Sequence, residues 1–199
     1  MNDSISAQPL QESVGLRAPL LFAAVILLVF GLLYALAGTA LGRLLFPMQA
    51  TGSVIEREGR VVGSALVAQP FADARYFQSR PSAANYDPMA AAGSNLARSN
   101  PDLRKRVDAA IAAVAAREGI APADVPLELA TQSGGGLDPH LTPAGARVQV
   151  ARVAKARGLD PAIVQHAVDA ATEAPQFGVL GQPRVNVLRL NLALDARQR

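Results

Sequence analysis

The chain has 199 residues, 50% of them hydrophobic, and a formal net charge of +3 from 19 basic and 16 acidic residues. It contains no cysteine, which excludes disulfide bonds, zinc–thiolate sites and thiol catalysis. The small net charge, the 5% aromatic content and the absence of tryptophan argue against a nucleic-acid-binding protein, because such proteins present a clustered basic face.

The sequence predicts three parts: a short N-terminal tail over residues 1–17, a transmembrane helix over residues 18–43, and a soluble α+β domain over residues 44–199. All residues between Arg17 and Arg43 are uncharged, and about 20 apolar residues are enough to cross a bilayer as a helix. We therefore expect a single-pass protein whose helix contacts membrane lipid.

Two glycines lie within the predicted span. Gly31 and Gly38 are seven positions apart and so fall on one face of the helix. Small residues let a second helix approach closely, which makes both glycines candidates for helix packing. Glycine is also frequent in membrane helices generally, and this second explanation stays open.

A cleaved signal peptide is the alternative to an uncleaved anchor. Ala35-Leu36-Ala37 has the small-x-small form of a cleavage site. The apolar run is longer than the roughly 7–15 residues of a signal core, however, and the preceding segment is not distinctly positive. We favour the anchor; cleavage would instead release an extracytoplasmic ligand-binding module.

The soluble domain opens with a predicted β-hairpin over residues 52–68. Runs that alternate or contain β-branched residues lie on either side of Glu58-Gly59-Arg60, a turn that contains glycine. Phe71, Tyr76 and Phe77 follow, and we expect these aromatic rings to close one end of the core.

Residues 80–103 are rich in short polar residues and proline and contain few side chains that a core would bury. Serine, asparagine and aspartate side chains hydrogen-bond to nearby backbone and build turns. We therefore predict an ordered loop that offers polar groups to a partner or to its own domain. The candidates for partner contact or for structuring the loop are Arg80, Ser82, Asn85, Ser94, Asn95, Ser99 and Asn100.

Three helices are predicted after this loop, because three N-cap residues are each followed by proline. The pairs are Asn100-Pro101, Thr142-Pro143 and Asp160-Pro161. Gly119 and Gly158 are expected to end the first two helices.

The C-terminal part of the chain is predicted to form a strand. Residues 183–188 alternate and are followed by LRLNLALD, in which leucine recurs at every second position. We expect that strand to continue through this run, with a bulge or with both faces buried. The predicted domain thus has strands at both ends and helices between them.

Sequence motifs for catalysis are absent. The chain has no G-x-x-x-x-G-K-[ST] phosphate loop and no G-x-S-x-G nucleophile elbow. His140 and His166 are the only histidines, which favours capping and solvation over a metal site. Gly134-Gly135-Gly136 is interpreted as a flexible turn in preference to an anion site. We predict no catalytic and no metal-binding residue.

Several blocks of sequence, in order along the chain, resemble one family. They are FPMQATGS, GSALVAQPF, YFQSRPSAANYDP, AAGSNLARSNPDL, LATQSGGGLDPHLTPAGARVQVARVAKARGL and VLGQPRVNVLRLNLALD. This arrangement after one N-terminal span resembles the C subunit of the Kdp potassium-transporting P-type ATPase, the KdpC family. The resemblance covers residues 19–195.

The resemblance implies an accessory subunit of a high-affinity potassium uptake complex in the bacterial cytoplasmic membrane. Its implied partners are a channel-like subunit that translocates potassium and a P-type subunit that hydrolyses ATP. The chain would support assembly of the complex and would not be an enzyme by itself. A membrane-tethered enzyme of another kind is the rival interpretation.

The side of the membrane on which the domain lies is predicted differently by charge and by resemblance. Arg17 alone precedes the span, whereas Arg43, Arg57 and Arg60 follow it, which favours a cytoplasmic domain. The resemblance implies the extracytoplasmic side. We favour that side because large domains cross the membrane largely regardless of charge.

The family that the chain resembles is described as a catalytic chaperone, which raises the affinity of the hydrolysing subunit for ATP. This implies no firmly bound cofactor, with ATP acting through the partner subunit. Gln149, in the segment GARVQVARVA, is the candidate for direct contact with ATP. An external domain could not touch cytoplasmic ATP, so these two expectations conflict.

Overall fold

A computed structural model describes residues 15–197, and the chain divides into two compact units between Thr51 and Gly52. The predicted N-terminal tail therefore lies almost entirely outside the described residues. The fold combines helices and small sheets with one long apolar helix near the N-terminus. This confirms the predicted α+β class with a helix that is long and apolar enough to span a membrane.

The first unit consists mainly of helix α1, Arg17–Leu45, whose 29 residues would extend about 44 Å at the α-helical rise of about 1.5 Å per residue. Its middle section, Leu27–Leu33, has the wider hydrogen-bonding pattern of a π-helix. No residue of α1 is buried. Phe46 separates it from the short helix α2, Pro47–Ala50. The apolar side chains of α1 thus remain available to lipid or to another chain.

The second unit contains six helices and five strands in the described part of the chain. The strands are β1 (Val54–Arg57), β2 (Arg60–Ser64), β3 (His140–Leu141), β4 (Thr172–Glu173) and β5 (Arg184–Asn186). The helices are α3 (Pro101–Glu118), α4 (Leu127–Ala130), α5 (Pro143–Arg147), α6 (Val150–Arg157), α7 (Pro161–Ala170) and α8 (Val187–Arg197). Two 3₁₀ turns, Pro88–Ala90 and Pro122–Asp124, lie in the connections.

The strands form two separate antiparallel sheets. β1 and β2 pair as the predicted hairpin, with Arg57 opposite Arg60 and a register shift between Ile55 and Glu56. The second sheet has the order β3-β5-β4, so the late strand β5 lies in the centre. His140 pairs with Asn186, and Thr172 pairs with Val185.

One hydrophobic core is formed mainly between the helices and the three-stranded sheet. Phe77 is fully buried, and Phe71 packs against the core with its ring centroid 5.4 Å from that of Tyr76. This confirms the predicted place of Phe71 and Phe77 at the core, whereas Tyr76 meets it only through the Phe71 ring. The other large apolar side chains with no more than 1% exposure are Val153, Val164, Val168, Val185, Val187, Leu190 and Leu194.

The three predicted helix starts are confirmed by their caps. The side chains of Asn100, Thr142 and Asp160 each accept a hydrogen bond from a backbone N–H in the first turn. Gly119 and Gly158 end α3 and α6 in the left-handed conformation that glycine adopts without strain. The second predicted helix is divided into α5 and α6 by an interruption at residues 148–149.

The prediction of a strand beyond Asn186 is wrong, because residues 187–197 form helix α8. The Asn186 side chain accepts a hydrogen bond from Arg189 N at 3.1 Å and so caps the new helix. The buried positions Val187, Leu190 and Leu194 follow helical spacing and not the alternation of a strand.

Candidate functional site

Residues 74–78, which we call the clasped segment, form an irregular stretch that belongs to neither sheet. Each of their five backbone carbonyls accepts a hydrogen bond from a side chain at least 71 positions away in sequence. The pairs are Arg152 to Ala74 and Tyr76, Arg157 to Arg75, Asn191 to Phe77, and Gln149 to Gln78. Polar side chains therefore satisfy the backbone carbonyls of this segment, as the backbone of a neighbouring strand would in a sheet.

The segment is introduced by a turn at Asp73. Its carboxylate accepts hydrogen bonds from the backbone N–H and the Nε of Arg75 at 2.8 and 3.1 Å. Its backbone carbonyl accepts from Tyr76 N at 3.1 Å. Hydrogen bonding by Arg75 lowers the pKa of Asp73 below its ordinary value. This local turn directs the following carbonyls toward the helices.

Arg152 on α6 bonds to two backbone carbonyls of the clasped segment and to a buried carboxylate. Its Nη1 donates to Ala74 O at 2.6 Å and to Tyr76 O at 3.0 Å. Its Nε donates at 2.9 Å to Glu118, the last residue of α3, whose side chain is 0% exposed. Arg117 donates to the other carboxylate oxygen of Glu118 at 2.6 Å. The buried carboxylate is therefore paired on both oxygens, as a buried charge must be.

Gln149 lies in the interruption between α5 and α6 and is 0% exposed. Its Oε1 accepts from Gln78 N at 2.8 Å and from Arg152 at 2.9 Å. Its Nε2 donates to Gln78 O at 3.1 Å and to Gly145 O at 3.2 Å. A carboxamide has two donor hydrogens and two acceptor lone pairs, so all four are in use. Contact with ATP stays a prediction. To reach a nucleotide, the Gln149 side chain would have to break these hydrogen bonds.

Arg157 and Asn191 complete the set of residues that hold the segment. Arg157 Nε donates to Arg75 O at 2.7 Å, and its Nη2 donates to Asp195 at 2.9 Å. Its guanidinium also lies 5.1 Å from the centre of the Tyr76 ring. Asn191 donates to Phe77 O at 2.9 Å and accepts from Phe77 N at 2.8 Å, which satisfies both backbone groups.

Arginine accounts for 17 of the 19 basic residues of the chain, and the geometry explains part of this preference. Arg152 bonds to two carbonyls, a carboxylate and a carboxamide at once. A guanidinium offers five donors in a planar fork, whereas the ammonium of lysine offers three on one atom. Lysine could not replace Arg152 here without losing partners.

The first half of the predicted loop, residues 80–103, is ordered by hydrogen bonds that its own side chains make. Ser82 Oγ accepts from Ala84 N and Tyr86 N at 3.1 and 2.9 Å, and the Tyr86 hydroxyl donates to Arg80 O at 3.0 Å. Burial raises the pKa of Tyr86. Asn85 is exposed with a positive φ of 49°, a conformation that asparagine tolerates.

The second half of the loop joins helix α3. Ser94 accepts a hydrogen bond from Arg106 at 3.1 Å, and Asn100 caps the helix. Asn95 and Ser99 are exposed, and Asn95 has a φ of 51°. These positions remain predictions as partner contacts. A surface cleft at the start of α3 is lined by Arg98, Ser99, Asn100, Pro101, Arg104, Lys105 and Asp108.

The Gly134-Gly135-Gly136 turn is packed against the loop. A Cβ on Gly93 would lie 2.6 Å from Gly134 O, and one on Gly136 would lie 2.8 Å from Ala92 O. Both distances are shorter than real contacts allow, so glycine is required for the backbones to approach this closely. The glycine run thus has a packing role that its interpretation as a flexible turn did not include.

Asp138 joins the loop to the sheet. Arg80 donates to its carboxylate at 3.2 Å, and His140 N donates at 3.0 Å. Partial burial raises the pKa of Asp138, but the hydrogen bonds from His140 and Arg80 outweigh that effect and hold the pKa below its ordinary value. No group of three or more metal-ligating side chains occurs within residues 15–197.

Gly31 and Gly38 both lie on α1 with open space around them, since a Cβ on either would meet no atom within 4 Å. Gly42 has the same property and follows Gly38 by four positions. This Gly-x-x-x-Gly spacing was not predicted from the sequence, and it is the pattern that permits close helix contact in membranes. Packing of another helix at these glycines stays a prediction.

Nearly the whole chain matches one known protein family. The profile of a family described as "KdpC: K+-transporting ATPase, c chain" matches residues 16–196. The chain belongs to the KdpC family.

Named relatives agree with this assignment. A protein of Xanthomonas oryzae named potassium-transporting ATPase KdpC subunit is 63% identical over 96% of this chain and 91% of its own length. Proteins of the same name from Shewanella putrefaciens and Methylococcus capsulatus are 52% and 49% identical, over 98% and 85% of this chain and 96% and 90% of their own lengths. The chain is thus a KdpC subunit of a potassium-transporting ATPase, which confirms the resemblance.

Several residues that organise this KdpC chain were not found from the sequence. Glu118, Arg152, Arg157 and Asn191 form the polar set around the clasped segment. A charged or amide residue on the buried face of a helix is the one signal that could have indicated them, because such groups are buried only with partners. Asn191 carried that signal in LRLNLALD.

Proposed function

We propose that this chain is an accessory subunit of a high-affinity, ATP-driven potassium uptake complex. It supports assembly of the complex with a channel-like potassium-translocating subunit and a P-type ATP-hydrolysing subunit. The observation that supports this most directly is the family match, which extends over both the apolar helix and the domain, residues 16–196. A chain described as one subunit of an ATPase works with other chains.

The proposal assigns no bond-making step to this chain. Its internal polar groups support that view, because Arg152, Gln149 and Asn191 direct their donors to backbone carbonyls. A general acid, base or nucleophile needs a free group facing a substrate. These residues instead fix the shape of the domain that partners meet.

The membrane arrangement is part of the same proposal. Helix α1 anchors the chain in the bacterial cytoplasmic membrane, where its exposed apolar residues contact lipid and the partners' helices. The domain lies on the extracytoplasmic side. The arginines that flank the span favour the opposite side, but they carry little weight because large domains translocate largely regardless of charge.

We further propose that the chain raises the affinity of the hydrolysing subunit for ATP through the assembled complex, as a catalytic chaperone. An effect on ATP affinity that is transmitted through the partner subunit is compatible with an external domain, because this chain then needs no direct contact with the nucleotide. Direct contact by Gln149 is the second form of this proposal. It is less favoured by the geometry, since the side chain is buried and its four hydrogen-bonding positions are filled.

Purification from the native membrane tests the assembly role. The tagged chain, extracted in mild detergent, is expected to bring down both the channel-like and the ATP-hydrolysing subunits. A chain recovered alone at every detergent strength would contradict the proposal. An N-terminus at Gly38 in the mature protein would instead support the released ligand-binding module.

Cysteine labelling tests the topology, because the chain has no cysteine of its own. Ala112 is exposed in the middle of α3, so Ala112→Cys offers a single accessible thiol. A membrane-impermeant maleimide is expected to label it in intact cells whose outer membrane has been permeabilised. Labelling only after lysis would place the domain in the cytoplasm.

Two variants separate the two forms of the ATP proposal. Gln149→Ala and Asn191→Ala each remove a buried amide that holds the clasped segment. If ATP acts only through the assembly, both variants are expected to raise the half-saturating ATP concentration of the complex in proportion to their loss of domain stability. A larger rise for Gln149→Ala at equal stability would support direct contact.

A further inference from the structure

The connection between β4 and β5, residues 174–183, forms a hairpin loop with a closed tip. Gln176 and Leu180 exchange backbone hydrogen bonds of 2.8 and 2.9 Å in both directions. At its base, β4 and β5 pair, and Arg184 donates to Glu173 at 3.0 Å. The loop is therefore held at both its tip and its base.

This loop presents apolar side chains to the outside. Phe177 is 84% exposed, Val179 is 80% exposed and Leu180 is 57% exposed. Large apolar side chains clustered in this way on a charge-free segment mark an interaction surface. All ten residues of the loop are uncharged.

The conformation of Phe177 adds a second, independent observation. Its φ is +55°, in the left-handed region where a bulky side chain is unfavourable and glycine or asparagine is preferred. Phe177 thus combines backbone strain with an exposed ring, and neither is compensated by packing within its own unit. Such local conflicts are expected where a residue serves function.

We propose that the hairpin loop is a docking element that inserts Phe177, flanked by Val179 and Leu180, into an apolar pocket on another subunit of the potassium-transporting ATPase. This rests on the proposed function. An aromatic residue fixed on a preorganised turn is suited to anchor an interface, because little conformational freedom is lost on binding.

A protein pocket fits the loop better than a lipid surface does. Segments that bind membrane surfaces combine apolar residues with lysine or arginine that meet anionic headgroups. The loop contains neither, and the nearest basic residue, Arg184, is paired with Glu173. The family description names this chain as one of several in an ATPase, so another subunit is available.

Tryptophan fluorescence tests the proposal, because the chain contains no tryptophan. Phe177→Trp places a single reporter at the loop tip, and Met89→Trp, at a residue that is 92% exposed, is the matched control. Each variant is studied as the full chain, first alone in a lipid nanodisc and then in the purified complex. Emission wavelength and quenching by acrylamide are measured in both states, and the signal of a complex that contains the parent chain is subtracted to remove emission from the partner subunits.

The expected result is a blue shift and at least a roughly threefold lower quenching constant for Phe177→Trp in the complex only. The Met89→Trp control is expected to stay solvent-exposed throughout. A blue shift of Phe177→Trp in the nanodisc alone would show that lipid covers the loop and would overturn the proposal. An unshifted spectrum in the complex would overturn it as well.

Phe177→Asn provides a second measurement that does not depend on a tryptophan fitting the pocket. Asparagine suits the left-handed φ, so the domain is expected to remain as stable as the parent. Exchange of the labelled chain out of the complex is expected to become about tenfold faster, as for loss of an anchoring aromatic residue. Unchanged exchange would overturn the proposal while leaving the assembly role intact; failure to recover any complex with the parent chain would overturn both.

Discussion

The clasped segment, residues 74–78, and the hairpin loop, residues 174–183, are both irregular stretches of the same domain, yet they are stabilised in opposite ways. The clasped segment turns its carbonyls inward to buried arginine and amide side chains. The hairpin loop bonds mainly to itself and turns apolar side chains outward. The first stretch is completed within the chain, and the second has a surface that another molecule can complete.

This contrast indicates that stability and recognition depend on different regions of the domain. Breaking a contact in the clasped segment leaves buried polar groups without partners, which is costly. Removing an exposed side chain from the loop leaves nothing unsatisfied. We therefore expect the two regions to respond differently to substitution, with stability lost in one and assembly lost in the other.

The largest effect is expected for Arg152→Ala. It leaves the buried Glu118 with one partner and frees two carbonyls, so the unfolding free energy of the domain should fall by about 3–5 kcal/mol. Arg152→Lys keeps a positive charge but loses the fork, and about 1–3 kcal/mol is expected. Urea unfolding of the full chain in detergent, followed by near-UV circular dichroism, measures both. Equal losses for the two variants would contradict the role assigned to the guanidinium.

Asn191→Ala is expected to have the next largest effect. The N–H and C=O of Phe77 both lose their partner in a buried site, which should cost about 2–4 kcal/mol. Gln165→Ala is the control, because that amide bonds to Asp169 at an exposed position and should cost less than about 0.5 kcal/mol. The same unfolding measurement compares them, and a small loss for Asn191→Ala would show that water replaces the amide.

A pH-dependent effect is expected at Asp138, where the ion pair with Arg80 is only partly buried. The pKa of Asp138 in the folded chain lies below its ordinary value of 3.8. Its stabilising contribution is therefore fully present at neutral pH and is lost as the pH falls below 3.8 toward the folded pKa.

Asp138→Asn should accordingly be less stable than the parent at pH 7, and the difference should shrink at pH 3. Urea midpoints measured at the two values test this. A difference that stays constant, or that widens in acid, would contradict the direction of the shift.

The smallest effect on stability is expected for Phe177→Gly. Glycine relieves the left-handed strain and removes an exposed ring, so stability should stay equal to the parent or rise by up to about 1 kcal/mol. Phe77→Ala, which empties a fully buried position, should cost about 3–5 kcal/mol under the same conditions. Thermal unfolding followed by near-UV circular dichroism compares the two. A clear loss for Phe177→Gly would mean that its ring packs within the domain.

Local signals predicted much of this fold. Asn100, Thr142 and Asp160 began helices as expected, because an N-cap side chain and a following proline act through adjacent residues alone. The hairpin around Gly59 was predicted for the same reason. Such signals depend on a few neighbouring residues, which a single sequence contains.

The C-terminal helix shows why other parts could not be predicted. Leucines at every second position from Leu188 to Leu194 favour a strand, but α8 buries Asn191 and turns Leu192 partly outward. Asn191 is buried because its amide pairs with Phe77, 114 positions away. Contacts of this range are also what place Arg152 and Gln149, and they are not visible in a local pattern.

The clasped segment also has a consequence for natural variation. The groups that are held, the carbonyls of residues 74–78, belong to the backbone and exist whichever amino acids occupy these positions. The groups that hold them exist only in particular amino acids. Among distant relatives, Ala74 should therefore drift freely, while Arg152, Arg157 and Asn191 should be retained even where their surroundings diverge.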